Sequence, residues 1–329
     1  MLPFPVLLAD IGGTYARLAV LPEAAACPGP IWKVPTGDFP GPAAAIRAFL
    51  GRQDGPRPRS AFLAVAGRVD GGITRLTNAP WRFGLSEIGV TSGLEAVRLV
   101  NDYVPLAAAL TVLGVDDPAD VARIGPAANA TGPRLVLGPG TGLGAAALIP
   151  AGDRLLIQTT EAGHVGFGPS ERDALPWQAL MQAEGRITAE TLLSGPGLLR
   201  LARAIAAARG VPTGWRSPPD VLDGARTDPL AREVVRQFAR LLGRFTGDLA
   251  LVFSATGGVF LAGGIAPRIV ETLQDGAFGD AFEDKPPFRE TMQAIPRFVI
   301  TRPEPAIHGL AALLRAGDRF LFPGQDWRA

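Results

Sequence analysis

Twice in this chain a short apolar run stops at a glycine–threonine turn and a second apolar run follows. The first case is Pro5–Ala9, then Asp10-Ile-Gly-Gly-Thr14, then Ala16–Leu21. The second is Leu135-Val-Leu137, then Gly138-Pro-Gly-Thr-Gly-Leu-Gly144, then Ala145–Ile149. Apolar runs of this length bounded by glycine predict strand, turn, strand. The repetition hints at an internal duplication. A third glycine turn, Gly263-Gly264, ends the strand-like run Val259–Ala262.

Further runs at Ala61–Ala66, Val97–Val100 and Phe298–Ile300 predict strands, the last of them closing the set. Ala43–Leu50, Pro105–Leu113, Asp228–Phe253 and Ile307–Leu314 carry helical spacing, and Ser194 is placed to cap a helix that opens on Gly-Pro-Gly. Strands alternating with helices predict an α/β fold. A length of 329 residues leaves room for two domains. No low-complexity linker marks where they meet.

The glycine loops have a common chemistry. Glycine lets the backbone approach an anion closely, and successive N–H groups in such a turn form an anion nest. A neighbouring threonine hydroxyl adds a donor. An aspartate at the strand end, here Asp10, can hold Mg²⁺ directly or through water, because Mg²⁺ takes few carboxylates beside substrate phosphates. The alternative for each loop is an ordinary turn.

Composition narrows the partners. Lys and Arg number 32 against 31 Asp and Glu, so net charge is +1 and no basic surface for nucleic acid or an anionic membrane is expected. Glycine at 41 and proline at 31 are high, yet they punctuate apolar runs and so do not read as disorder. A single cysteine, Cys27, excludes an intrachain disulfide, and with only His164 and His308 a Cys/His zinc site cannot be assembled. No signal peptide is expected, and the cytoplasm is the expected compartment. The uncharged stretch Leu249–Pro267 is long enough to span a bilayer, but its glycine pairs and Pro267 predict helix end, turn, strand and turn.

Two nucleotide motifs can be tested directly. The Walker pattern is absent, since the only lysines, Lys33 and Lys285, lie in no such loop. Gly142-Leu-Gly144-Ala-Ala-Ala147 matches a dinucleotide pattern, but the run after it is too short for the required helix.

Several polar residues sit where a core would not want them. Asn101-Asp102 ends an apolar strand. Asp102 either caps the following helix or serves as the carboxylate base that a kinase needs beside its acceptor hydroxyl. Asn78 lies in a turn beside Trp81 and either binds a sugar hydroxyl or makes a side-chain turn. Glu161 and His164 share a spacing seen in metal sites on helices. Gly163, Gly166 and Gly168 oppose a helix here, so a loop offering both groups to a polyol is the better reading. Glu190 in isolation reads as a solvated charge.

Taken in order, these segments resemble the bacterial glucokinase family of the hexokinase and actin-like ATPase superfamily. The matching stretches are Leu8–Leu18, Thr77-Asn78, Val100–Tyr103, Leu137–Gly144, Glu161–Val165, Ala189–Gly197 and Gly257–Ile265. No cysteine cluster follows His164, which points to the zinc-free branch and so to no structural zinc. The resemblance implies a two-domain actin-like (ribonuclease H-like) α/β fold about an interdomain cleft. Its small domain would be 1–111 plus 303–329 and its large domain 112–302. It implies ATP-dependent phosphorylation of glucose at the 6-hydroxyl, with Asp102 as general base. Asn78, Asn101, Asp102, Glu161, His164 and Glu190 would surround the sugar. Asp10, Gly12, Gly13, Thr14, Gly140 and Thr141 would face phosphates and Mg²⁺, and Gly263 and Gly264 the adenosine. Domain closure would exclude water, and a homodimer is implied.

Three positions depart from the family pattern: Tyr15 for an asparagine, Arg68 for a proline and Gly166 for an aspartate. They leave open a kinase for another hexose, mannose or an N-acetylhexosamine. The alternative of a different class is a non-catalytic sugar sensor. The superfamily's repressors carry an N-terminal helix-turn-helix, whereas here the phosphate loop starts at residue 10.

Overall fold

The computed structural model describes residues 2–69, 74–76, 80–127, 131–170 and 175–329. Its contacts group the chain into two compact units. One holds Met1–Gly114, Leu148–Thr159 and Arg302–Ala329, the other Val115–Ala147 and Thr160–Thr301. In chain order the strands are β1 Val6–Ile11, β2 Tyr15–Leu21, β3 Trp32–Pro35, β4 Ser60–Val65, β5 Thr74–Arg75, β6 Arg82–Phe83 and β7 Ala96–Asn101. There follow β8 Val121–Arg123, β9 Arg134–Pro139, β10 Leu143–Ala151, β11 Arg154–Thr160, β12 Gly258–Leu261, β13 Arg297–Ile300, β14 Phe320–Leu321 and β15 Gln325–Arg328.

In the first unit a sheet runs β15-β7-β4-β1-β2-β3. β1 is antiparallel to β2 and parallel to β4, and β4 is parallel to β7. Every residue of β4 is buried, and β1 is buried at all but Asp10. Central parallel strands lose both faces to the core, which is why they read as unbroken apolar runs. Leu7, Ile11, Ile46, Phe49, Leu63, Trp81, Ile88 and Leu99 belong to one apolar core.

In the second unit the order is β10-β9-β12-β13-β8, with β12 parallel to both β9 and β13. β8 is antiparallel to β13, as β15 is to β7. The orders β2-β1-β4-β7 and β10-β9-β12-β13 follow the same chain sequence of second, first, third and fourth strand, so the suspected duplication exists at the level of strand order; the edge strands β15 and β8 enter from opposite ends of the chain. The long amphipathic segment is a single helix, Pro229–Val252, capped by Asp228, whose carboxylate accepts the Leu230 N–H at 2.8 Å. The uncharged stretch ending at Pro267 divides into this helix's end, β12 and a glycine turn. Among the described residues no helix is long and apolar enough to cross a membrane.

Two expectations change. Phe298–Ile300 is not the last strand. β15 follows, and its Gln-Asp-Trp-Arg sequence has no apolar run because it is an edge strand. A bidentate pair from Arg98 to Asp326, both bonds 2.7 Å, and the packing of Trp327 on the core hold it in place. The helix expected from Pro105 begins earlier, at Tyr103, and ends at Ala109. Proline is tolerated in a helix's first turn, so Pro105 does not mark the start.

Candidate active site

In the first unit the candidate residues emerge from the C-terminal ends of three parallel strands, where open α/β sheets bind their ligands. Register places Ile11 beside Val65 and Val65 beside Asn101. Asp10, Ala66-Gly67 and Asn101-Asp102 therefore share one sheet edge. Asn101 is fixed there by two bonds. Its Nδ2 donates to the Gly67 carbonyl at 3.1 Å, and its Oδ1 accepts the Tyr103 N–H at 2.9 Å. Asn101 thus takes over the helix start that Asp102 had been a candidate to cap. The Asp102 side chain makes no capping bond, although its residue begins the helix.

Asp10 faces Arg17 across the β1–β2 hairpin, with Arg17 Nη1 at 3.4 Å from its carboxylate. The same guanidinium pairs with Glu304, which precedes the C-terminal helix Pro305–Arg315. Burial pushes the Asp10 carboxyl up to about 6 from an ordinary 3.8, Arg17 opposes the rise, and Glu304 adds to it. Two carboxylates sharing one guanidinium leave a net negative charge at this strand end. That charge fits a divalent cation, and a cation would favour the ionised form of Asp10. Among the described residues no group of three or more His, Cys, Asp or Glu side chains comes together. A metal here would therefore depend on Asp10 with substrate phosphates.

Between β1 and β2 the Gly12 N–H donates to the Tyr15 carbonyl at 3.0 Å, closing the Gly12–Thr14 turn. Thr36, at the end of β3, bonds this turn twice, to the carbonyls of Gly12 and Thr14. Tyr15 is exposed and lies under Lys33, whose Nζ is 4.7 Å from the ring centre.

The second unit repeats the arrangement. Its two glycine loops leave adjacent parallel strands, Leu137 being the register partner of Leu261. They lie so close that a Cβ on Gly138 would come within 2.3 Å of the Ala262 carbonyl oxygen. Gly263 sits at φ +82, a conformation that favours glycine. The Gly195 N–H, at the head of the Ser194-capped helix, donates to the Gly140 carbonyl at 2.7 Å. Around Gly140 the space is open, and Thr141 is exposed.

Glu190 is not a free surface charge. Its Oε2 accepts the Leu143 N–H at 2.7 Å, directly after this loop. Glu161 and His164 flank a single 3-10 turn, Ala162–His164, with Nε2 to Oε2 at 3.9 Å. Both side chains are more than half exposed. The turn packs on β10 at Gly163, where a Cβ would fall 2.2 Å from the Leu143 carbonyl oxygen. Gly166 bridges to Thr188, just before the Glu190 helix. Within this unit, then, Thr141, Glu161, His164 and Glu190 are organised around Leu143. Asn78 lies outside the described residues.

The sequence profile of the glucokinase family matches residues 7–317. The chain belongs to the glucokinase family. It is 41% identical to a glucokinase of Mesorhizobium japonicum, over all of this chain and 97% of the relative. It is 42% identical to one of Sinorhizobium fredii, over 99% of this chain and 97% of the relative. A crystal structure of glucokinase from an Antarctic psychrotroph superimposes with a TM-score of 0.81 at 30% identity, covering 96% of this chain and 100% of that one. The family's actin-like ATPase fold agrees with the duplicated strand order described above.

Sequence reasoning missed Arg17, Glu304, Thr36 and Leu143. Arg17 had a signal, because a hairpin register through Asp10 pairs them. Leu143 acts through its backbone and Glu304 lies far along the chain, so neither had one.

Proposed function

We propose that this chain transfers the γ-phosphoryl group of ATP to the 6-hydroxyl of glucose, with Asp102 as general base. One observation carries the assignment: Asn101, and not Asp102, bonds the helix-start amide. A carboxylate at a strand end that does not cap is suited to accept a hydroxyl proton as the oxygen attacks phosphorus.

The sugar would be bound by Asn78, Asn101 and Asp102 and by Glu161, His164 and Glu190. Imidazole and carboxylates together supply both donors and acceptors to a polyol. Gly12, Gly13, Thr14, Gly140 and Thr141 would hold the phosphates through backbone amides and hydroxyls, with Gly263 and Gly264 against the adenosine. Asp10 would hold Mg²⁺, directly or through water. The ion, when bound, offsets charge on the phosphates and spares the chain a cluster of lysines. We read 1–111 with 303–329 as the small domain and 112–302 as the large one, and the working form as a homodimer.

The test is a coupled assay with ATP, Mg²⁺ and a panel of hexoses. Turnover on glucose above the other sugars supports the reading. Preference for mannose or an N-acetylhexosamine would reassign the substrate, and no turnover on any hexose would defeat it.

A further inference from the structure

Thr36 is 1% exposed, and both of its donor groups, the hydroxyl and the backbone N–H, bond to one turn. Its Oγ1 donates to the Gly12 carbonyl at 2.8 Å, and its N–H donates to the Thr14 carbonyl at 2.9 Å. Sheet register brings it there, because Pro35 on β3 is the partner of Tyr15 on β2. A trans peptide is planar, so its C=O and N–H point in opposite directions. The Gly12 carbonyl and the Gly13 N–H belong to the same peptide. Fixing that carbonyl toward Thr36 fixes the Gly13 N–H away from it, on the far side of the turn. A turn without this brace could rotate the peptide and offer a carbonyl oxygen, which repels phosphate, in place of an amide.

We propose that Thr36 is a positioning residue that sets the amide face of the Gly12–Thr14 turn for the phosphates of ATP. The inference rests on the reading of this turn as a phosphate loop. Thr36 itself touches no phosphate. It works through the peptide planes, and its burial strengthens the bonds by keeping water from competing for the same carbonyls.

Thr36→Val removes the Oγ1 donor, nearly preserves shape and keeps the N–H. Thr36→Ser restores the donor. Steady-state kinetics should show the KM for ATP raised about tenfold in Thr36→Val, as expected for one hydrogen bond lost at a buried site. The KM for glucose should stay within about twofold, and Thr36→Ser should return the KM for ATP to near the wild-type value. An unchanged KM for ATP, or both KM values rising together with a lowered Tm, would overturn the proposal. If Thr36→Val does not fold, Thr36→Ser against Thr36→Ala is the deciding pair, with the same expectations. A second readout needs no turnover. The rise in Tm that MgATP gives the wild type should shrink in Thr36→Val. If the wild type phosphorylates a hexose but the two MgATP shifts are equal, this inference alone fails. If the wild type turns over no hexose, the reading of the function fails, and the MgATP shifts still decide the role of Thr36. A wild type that turns over no hexose and shows no MgATP shift sinks both.

Discussion

The Leu143 amide donates to Glu190 Oε2 at 2.7 Å, so the strand that leaves the second glycine loop is tied to a carboxylate 47 residues away. A side chain on Gly142 would displace this bond, since its Cβ would fall 2.5 Å from the same oxygen. Glu190→Gln keeps an acceptor oxygen, whereas Glu190→Ala leaves the amide unmet. We expect Glu190→Ala to cost about 2 kcal/mol, in the range for a hydrogen bond to a charged group. Glu190→Gln should keep most of that stability. Chemical denaturation of the two variants checks the difference. Equal losses would mean that charge, not the acceptor, matters here.

Asp102→Ala should lower kcat by about 10²–10⁴, the range for loss of a general base. Because Asn101 and not Asp102 bonds the Tyr103 amide, the helix start should survive the substitution. Asn101→Ala should behave in the opposite sense. It removes both the bond to Gly67 and the helix-start bond, so stability should fall by about 1–2 kcal/mol. Kinetics and melting curves on both variants separate the base from its support. Survival of kcat in Asp102→Ala would remove the base assignment.

Asp10 predicts a pH dependence with a definite sign. Its carboxyl is raised in the folded chain to about 6 from 3.8, so between these values the folded state binds more protons than the unfolded one. Its contribution to stability therefore falls as pH rises from about 4 to about 6 and is flat above, a cost of order 3 kcal/mol at neutral pH. Asp10→Asn should be the more stable protein at pH 7, with the advantage gone below pH 4. Function runs the other way. Binding of MgATP needs the carboxylate, so kcat/KM for ATP should decline as pH drops through about 6, and Asp10→Asn should lose that limb together with most activity. Urea titrations and pH–rate profiles measure the two effects separately.

Gly309 lies in the helix Pro305–Arg315, where a Cβ would come within 1.8 Å of the Pro105 carbonyl oxygen. Pro105 belongs to the helix that begins just after Asp102. Gly309→Ala should therefore destabilise the fold by about 3 kcal/mol, the upper end for overpacking, even though alanine is the better helix former by ~1 kcal/mol. It should also lower kcat by displacing that helix. A Tm equal to wild type would show that the helices can part without cost.

Much of this was legible because parallel strands and glycine turns have local signatures. β1, β4, β7, β9 and β12 are short, mostly apolar runs bounded by turn residues, and each glycine loop stood at a strand end. The Asn101-Asp102 pair was visible, but the division of labour between them was not. Either side chain could cap, and only the direction of the Asn101 amide decides it. Glu190 was illegible for a different reason. A carboxylate followed by a helix start looks solvated until the backbone amide that it meets is known. β15 escaped because an edge strand held by an Arg–Asp pair needs no apolar period.

The sequence by itself determined the class of fold, the duplicated strand–turn–strand units and the residue types at their ends. These depend on burial periodicity and glycine's conformational range, which are properties of neighbouring residues. Only the tertiary structure decided which partners those residues keep: Arg17 shared by Asp10 and Glu304, Thr36 on the Gly12 turn, and Leu143 on Glu190. Apart from the Asp10–Arg17 contact, which a hairpin register suggests, these pairings join segments well separated along the chain. They are made through backbone groups or a single charge that many residues could supply, so nothing in the local sequence marks them.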